Sequence, residues 1–224
     1  MAIKAIAFDA YGTIFDVHSI ATLADRFVPG RGVALSAAWR VKQIDYTRLR
    51  TLSDRYAPFS KVTRDALTQV VRAMDLAIDD EQAEALMSEY DRLAVFADSA
   101  EALVRLKALG IPLAILSNGD PPMLAAIVAN GGLDGTFDHL LSVDSVGRFK
   151  TAPEAYELGP KAFGCDADEI LFVSSNCWDA CGAAWYGYRS FWINRAGAPL
   201  EELDVVPAGT GRTMQDVVEY LAQG

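Results

Sequence analysis

Asp9 stands at the end of a short apolar run, Ile3-Lys4-Ala5-Ile6-Ala7-Phe8, and a Gly12-Thr13 turn follows it. A run of that length is one buried strand. A carboxylate at its tip sits where open α/β sheets gather their reactive groups. Taken alone, Asp-x-x-Gly is more simply a turn, because Asp favours turns through local hydrogen bonds. Three later segments repeat the pattern, however. Ile111–Leu116 stops at Ser117-Asn118-Gly119, His139–Ser142 leads into a loop carrying Lys150, and Ile170–Val173 stops at Ser174-Ser175-Asn176. Each has a plain reading as a turn, a surface lysine or a helix opening. In a parallel sheet all four ends lie along one edge, so a carboxylate, an amine, hydroxyls and amides converge there.

The elements that must position these groups follow from periodicity. Between Val17 and Val95 no segment reads as a strand. Leu67, Val70, Val71 and Met74, and likewise Ala83, Leu86, Met87 and Tyr90, recur at helical spacing. Pro29-Gly30 and Ala57-Pro58 punctuate this stretch, which reads as a helical insert behind the first strand. From Ala97 onward helix and strand alternate. Asp98-x-x-Glu101 predicts a capping box for a helix running to Leu109, with Gly110 as its stop. Asp120-Pro121 predicts an N-cap and first helical residue. A helix is expected over Pro153–Phe163 and a further strand over Ser190–Ile193. Alternation of this kind implies right-handed crossovers and a mostly parallel sheet with helices on both faces.

The composition narrows the function classes. The 224 residues are 51% hydrophobic and 22% charged, enough for one large domain or a core with a small subdomain. A net charge of -10 argues against nucleic acid or an anionic membrane as partner. No apolar run approaches a membrane span, and no secretory signal pattern opens the chain. Cys165, Cys177 and Cys181 form no CxxC, and His18 and His139 are the sole histidines, so no zinc site is expected. The three thiols read as small buried packing residues, and the chain as a cytoplasmic protein.

Five motifs together resemble the haloacid dehalogenase superfamily, and within it the L-2-haloacid dehalogenases. They are Phe8-Asp9-Ala10-Tyr11-Gly12-Thr13, Trp39-Arg40-x-Lys42-Gln43, Leu116-Ser117-Asn118-Gly119, Lys150, and Val173-Ser174-Ser175-Asn176-x-Trp178-Asp179. The resemblance runs through nearly the whole chain. It implies a Rossmann-like parallel sheet flanked by helices, with residues 1–16 and 96–224 as core and 17–95 as an all-helical cap. Superfamily phosphatases carry a second Asp two residues after the first and an acidic pair after the fourth strand, which hold Mg²⁺ against phosphate. Here those places are taken by Tyr11 and by Ser174-Ser175-Asn176. No metal or other cofactor is expected.

The implied reaction is hydrolysis of short L-2-haloalkanoic acids to D-2-hydroxy acids through an ester on Asp9, with inversion at C2. Lys150 would balance the charge of Asp9, while Thr13 and Ser174 orient it. The substrate carboxylate would bind Ser117 and the backbone amides around Ala10, Tyr11 and Asn118. Arg40 would receive the halide, with Asn118 and Trp178 completing its cradle. Tyr11, Phe59 and Trp178 would form the apolar wall. Asn176 and Asp179 would position and activate the hydrolytic water, and Tyr156 matches a family tyrosine near Lys150. Partners are thus a small 2-haloacid, a halide ion and, as a family expectation, a second copy in a homodimer. Two residues depart from the pattern: Thr151 replaces a common proline, loosening the lysine loop, and Arg48 replaces an aromatic residue on the cap. Two other functions compete: a phosphatase with a degenerate metal site, and a silent binding protein that kept the fold.

Overall fold

The computed structural model describes residues 2–222, so Met1, Gln223 and Gly224 of the expected core lie outside the described residues. Among those described, six strands form one parallel sheet: β1 (Ala5–Phe8), β2 (Leu113–Ser117), β3 (His139–Ser142), β4 (Ile170–Ser174), β5 (Arg189–Ile193) and β6 (Gly209–Gly211). Their order is β3-β2-β1-β4-β5-β6, which puts β1 inside the sheet between β2 and β4. β1, β2 and β4 are buried along their whole length, as strands covered on both faces must be. Side chains alternate across the sheet. Ile6 and Phe8 join the larger hydrophobic cluster, while Ala5 and Ala7 join a smaller one with Tyr156, Phe172 and Tyr188. Phe8 is in register with Ile115 on one side and Val173 on the other. The strand tips therefore line up beside Asp9.

Of the five helices between β1 and β2, the first four are α1 (Ser19–Phe27), α2 (Gly32–Leu52), α3 (Phe59–Ala73) and α4 (Asp80–Glu89). Their spacing explains their burial. On α3 the buried positions include Val62, Ala66, Leu67 and Val70, one stripe of an amphipathic helix. Asp79 and Gln82 form a capping box that starts α4. Their apolar face is continuous with the sheet, because Leu35, Trp39, Phe59 and Tyr90 share a cluster with Phe8, Tyr11 and Phe15. The remaining helices are α5 (Ala97–Ala108), α6 (Pro121–Asn130), α7 (Pro153–Phe163), α8 (Cys177–Tyr186) and α9 (Met214–Ala222). No helix among the described residues is long and apolar enough to cross a membrane.

Two local expectations need correction. The Asp98–Glu101 capping box does not form. α5 starts at Ala97, so Asp98 falls within its first turn, and no side chain caps that end. The Asp98 carboxylate is drawn instead to Arg195 at 2.6 Å and to the Met214 amide at 2.7 Å. A charged donor outcompetes a local amide. Of the three thiols only Cys181 is buried; Cys165 and Cys177 are half-buried, and all three are free.

Asp120 behaves as expected and does more. Its Oδ1 accepts from the Met123 amide at 3.4 Å, capping α6, and its Oδ2 accepts from the Ser60 amide at 2.9 Å in the first turn of α3. One buried carboxylate thus serves two helix openings, one inside the β1–β2 insertion and one just after β2. Asp120→Ala should lower the unfolding free energy by about 1–3 kcal/mol. Urea denaturation with an unchanged m-value would check it; a smaller loss would mean that water replaces both caps.

Candidate active site

The turn after β1 gives Asp9 its first partner. The amides of Thr13, Ile14 and Phe15 all point to the Ala10 carbonyl, at 3.2, 3.0 and 3.1 Å. Gly12 adopts φ +88°, a left-handed conformation that a side chain would resist. The chain folds back so that the Thr13 hydroxyl donates to Asp9 Oδ2 at 3.0 Å. Asn176, at the opening of α8, donates to the same oxygen at 2.9 Å. Asp9 is 7% exposed.

Lys150 reaches Asp9 Oδ1 at 3.1 Å and Asp179 Oδ2 at 3.0 Å. The side chains of Lys150 and Asp179 have no exposed surface, and the ammonium lies 4.8 Å from the centre of the Phe172 ring. Tyr156 donates to Asp179 Oδ1 at 2.8 Å. Burial, and then the nearby Asp9 charge, push the Asp179 carboxyl above its ordinary pKa, against the attraction of Lys150. Burial likewise pushes the Tyr156 hydroxyl well above its usual range, with Asp179 adding to the shift. On α8, Gly182 lets this cluster close. A Cβ there would lie 2.6 Å from the Tyr156 oxygen and 2.7 Å from the Thr151 methyl.

The lysine loop is held from both sides. Asn118 accepts from the Lys150 amide at 2.9 Å, and Thr51 at the end of α2 accepts from the Phe149 amide at 3.1 Å. Tyr56 donates to Asp144 at 2.7 Å, its ring packs 5.0 Å from that of Phe149, and Arg148 pairs with Asp54. These contacts hold the backbone at Phe149 and Lys150, immediately before Thr151.

The Trp39-to-Gln43 motif is one assembly. Trp39 donates to the Thr63 carbonyl at 2.8 Å, and the fully buried Gln43 donates to Thr63 Oγ1 at 2.7 Å. The Gln43 carbonyl accepts from Arg40 at 2.8 Å, aiming that guanidinium at the Tyr11 carbonyl, 3.4 Å away. Arg40, Tyr11, Asn176 and Trp178 line a cavity of about 600 Å³. A carboxylate held by hydroxyl, amide and ammonium, whose partner Asn176 lines a cavity that also contains an arginine, is equipped for attack on a small anionic substrate.

Relatives agree with that reading. The family model for haloacid dehalogenase-like hydrolases matches residues 3–187. The chain belongs to that family. The (S)-2-haloacid dehalogenase of Pseudomonas sp. (strain YL) is 47% identical over 217 residues, covering 97% of this chain and 94% of the relative. The fold of this chain is also similar to the crystal structure of the L-2-haloacid dehalogenase RSc1362, with a TM-score of 0.98 and 50% identity over 99% of this chain and 100% of the other. The L-2-haloacid dehalogenase from Xanthobacter autotrophicus with chloropropionic acid covalently bound matches with a TM-score of 0.91 at 36% identity over 99% of each chain.

In this dehalogenase-like hydrolase the residues singled out from the sequence fall into three groups. Asp9, Thr13, Lys150, Tyr156, Asn176 and Asp179 form one hydrogen-bonded chain. Arg40, Tyr11 and Trp178 face the adjoining cavity, with Arg48 stacked 5.3 Å over the Trp178 ring where an aromatic residue was expected. Ser117, Asn118 and Ala10 frame the edge: Ser117 accepts from the Gly119 amide at 3.1 Å and Asn118 supports Lys150. Phe59 packs behind Tyr11, ring centres 5.8 Å apart, in the buried cluster. Ser174 is placed differently from expectation. Its hydroxyl accepts from the Asn176 amide at 3.1 Å, because it closes β4 with its side chain turned to the next turn of chain. Its neighbour Ser175 supports the Asp9 turn instead, its amide donating to Thr13 Oγ1 at 2.9 Å and its hydroxyl to the Gly12 carbonyl at 2.6 Å. Ser175 stood in a recognised motif without a role, whereas nothing in the sequence marked Thr51.

Lys150→Met should cost about 3–5 kcal/mol, because it leaves two buried carboxylates facing each other. The pH dependence has a definite sign. A carboxyl whose folded pKa is raised favours the folded state when protonated, and that contribution is lost as pH rises through the folded value. Removing the ammonium enlarges the effect for Asp179. The deficit against the parent enzyme should therefore shrink as pH falls below neutral, which denaturation at several pH values would show. A deficit independent of pH would contradict the buried charge pairing.

Proposed function

We propose that this chain hydrolyses short L-2-haloalkanoic acids to D-2-hydroxy acids through an ester on Asp9. The observation that carries this reading is the state of Asp9: a nearly buried carboxylate with Thr13 and Asn176 on one oxygen and Lys150 on the other. Lys150 stands between Asp9 and Asp179 and pairs with both. Tyr11 cannot serve as a metal-linked carboxylate; its ring packs against Phe59 and Tyr90. Displacing halide from carbon needs neither a phosphate clamp nor a protonated leaving group, so turnover should survive exhaustive chelation.

In the first step an Asp9 oxygen attacks C2, the carbon–halogen bond breaks, and the halide leaves with its electron pair. Arg40 receives the halide, with Asn118 and Trp178 beside it. Ser117 and the amides around Ala10, Tyr11 and Asn118 hold the substrate carboxylate near the opening of α6. Tyr11, Phe59 and Trp178 shape the apolar wall. In the second step water, oriented by Asn176 and deprotonated toward Asp179, attacks the Asp9 carboxyl carbon and releases the hydroxy acid. Burial raises the proton affinity of Asp179, the direction a base requires. Residues 17–95 act as the cap that brings Arg40 over Asp9, and residues 1–16 and 96–224 as the core. Val41, Leu49 and Leu52 on α2 are 69%, 53% and 82% exposed and suit a homodimer face. Free thiols suit a reducing cytoplasm.

The stereochemical route supplies the decisive test. C2 is inverted once, since water attacks the protein ester and not C2. A single turnover of L-2-chloropropionate in ¹⁸O-water with enzyme in excess should label Asp9 and leave the product unlabelled. Label in that first product would make Asp9 a general base, and no halide release at all would favour the silent binding protein.

Arg40→Ala tests the halide role separately. It should slow ester formation about 100-fold or more, as loss of a charge-stabilising donor does. Rapid-quench kinetics and thermal melting would separate this from unfolding. A normal rate of ester formation would return Arg40 to a surface role.

A further inference from the structure

Arg195 follows β5 at the sheet edge that carries Asp9, and the mechanism above does not use it. Its Nη1 pairs with Asp98 at 2.6 Å, and its Nη2 donates to the Thr13 carbonyl at 3.2 Å. Its guanidinium also stacks 4.1 Å over the Phe96 ring. The Thr13 carbonyl has a second donor, Ser99 Oγ, at 3.4 Å. Thr13 is thus gripped from behind by its carbonyl while its hydroxyl donates forward to Asp9.

From this geometry we infer that Arg195 is a positioning residue for the nucleophile, acting through Thr13. The role rests on the Asp9 ester chemistry proposed above. The planar fork of an arginine suits it, because one nitrogen can anchor on Asp98 while the other holds the carbonyl. Asp98 is itself fixed, since the same oxygen that pairs with Arg195 accepts from the Met214 amide at 2.7 Å. The start of α5, the start of α9 and the end of β5 therefore form a rigid backing for one turn. A small displacement of a reacting group is costly in rate, so a backing that fixes the Asp9 rotamer acts on ester formation, not on substrate affinity. Arg195 also lines the cavity that holds Arg40 and Asn176, which offers a competing role in attracting the anionic substrate.

The test compares the parent enzyme with Arg195→Gln, Arg195→Lys and Ser99→Ala by rapid-quench single turnover of L-2-chloropropionate, with steady-state kinetics and thermal melting alongside. Arg195→Gln should reduce ester formation per folded molecule about tenfold or more, with KM changed less than about twofold. Arg195→Lys, which keeps the charge but not the fork, should recover only part of the rate. Ser99→Ala keeps the ion pair and should give a smaller fall in the same step, so the role remains testable if an Arg195 variant fails to fold. Lower melting temperatures with parental ester formation would make Arg195 purely structural and overturn the inference. A raised KM with a parental rate would assign it to substrate attraction and overturn it equally. Ester in the parent with equal rates in all variants defeats this role alone, whereas no ester in the parent defeats the Asp9 chemistry itself.

Discussion

A fully buried ammonium between two carboxylates is the constraint that organises this molecule. Removing Lys150, Asp9 and Asp179 from water costs several kcal/mol per ion, and their mutual attraction offsets this only when the remaining polar atoms find partners. Thr13 and Asn176 supply those partners for Asp9, and Tyr156 supplies one for Asp179. The face of Phe172 adds a favourable surface for the ammonium. Each partner comes from a different part of the chain, so the cluster forms only when β1, β4, α7, α8 and the lysine loop are all in place. Pre-organisation of Asp9 and completion of the fold are the same event.

The same constraint ties the inserted helices to the sheet. α2 carries Arg40 near its middle and Thr51 at its end, and Thr51 holds the backbone one residue before Lys150. Tyr56 and Asp54, just beyond α2, grip the same loop through Asp144 and Arg148. A helix that positions the arginine therefore also supports the lysine. Asp120 adds a further tie by serving α3 and α6 together. Tyr11 fills the seam between them with its ring, and its hydroxyl is buried with no hydrogen-bond partner among the described residues. That buried hydroxyl is a local cost set against the apolar packing of the ring.

The two departures from the family pattern acquire physical meanings. Thr151 puts its methyl against Gly182, in the space left by the absent side chain, so the lysine loop keeps contact with α8. Arg48 lays its guanidinium over Trp178, replacing an expected aromatic contact with a cation over the same ring. The change adds a positive charge beside the cavity of a protein whose net charge is -10. Such a charge favours the approach of an anionic substrate.

The parallel α/β core, the helical insert and the strand-tip residues were legible in the amino-acid order alone, and five motifs carried the family resemblance. Those follow from short-range patterns: apolar runs of strand length, helical spacing, and polar residues at fixed offsets. β3 and α7 were legible to the residue for that reason. β6 was not, since Gly209-Thr210-Gly211 carries no apolar alternation and pairs only because β5 offers it an edge. The Asp98 capping box was legible and wrong, because a guanidinium about a hundred residues away competes better for that carboxylate than a neighbouring amide. Asp9, Lys150 and Asn176 could be named from sequence, but not which oxygen each partner takes, nor that Ser175 rather than Ser174 backs Thr13. Adjacent residues at a strand tip point in opposite directions, and only the packed sheet decides which one faces the Asp9 turn. The roles of Thr51 and Asp120 in joining insert to core were likewise settled only by tertiary structure, since contacts between distant segments leave no periodic trace in either segment.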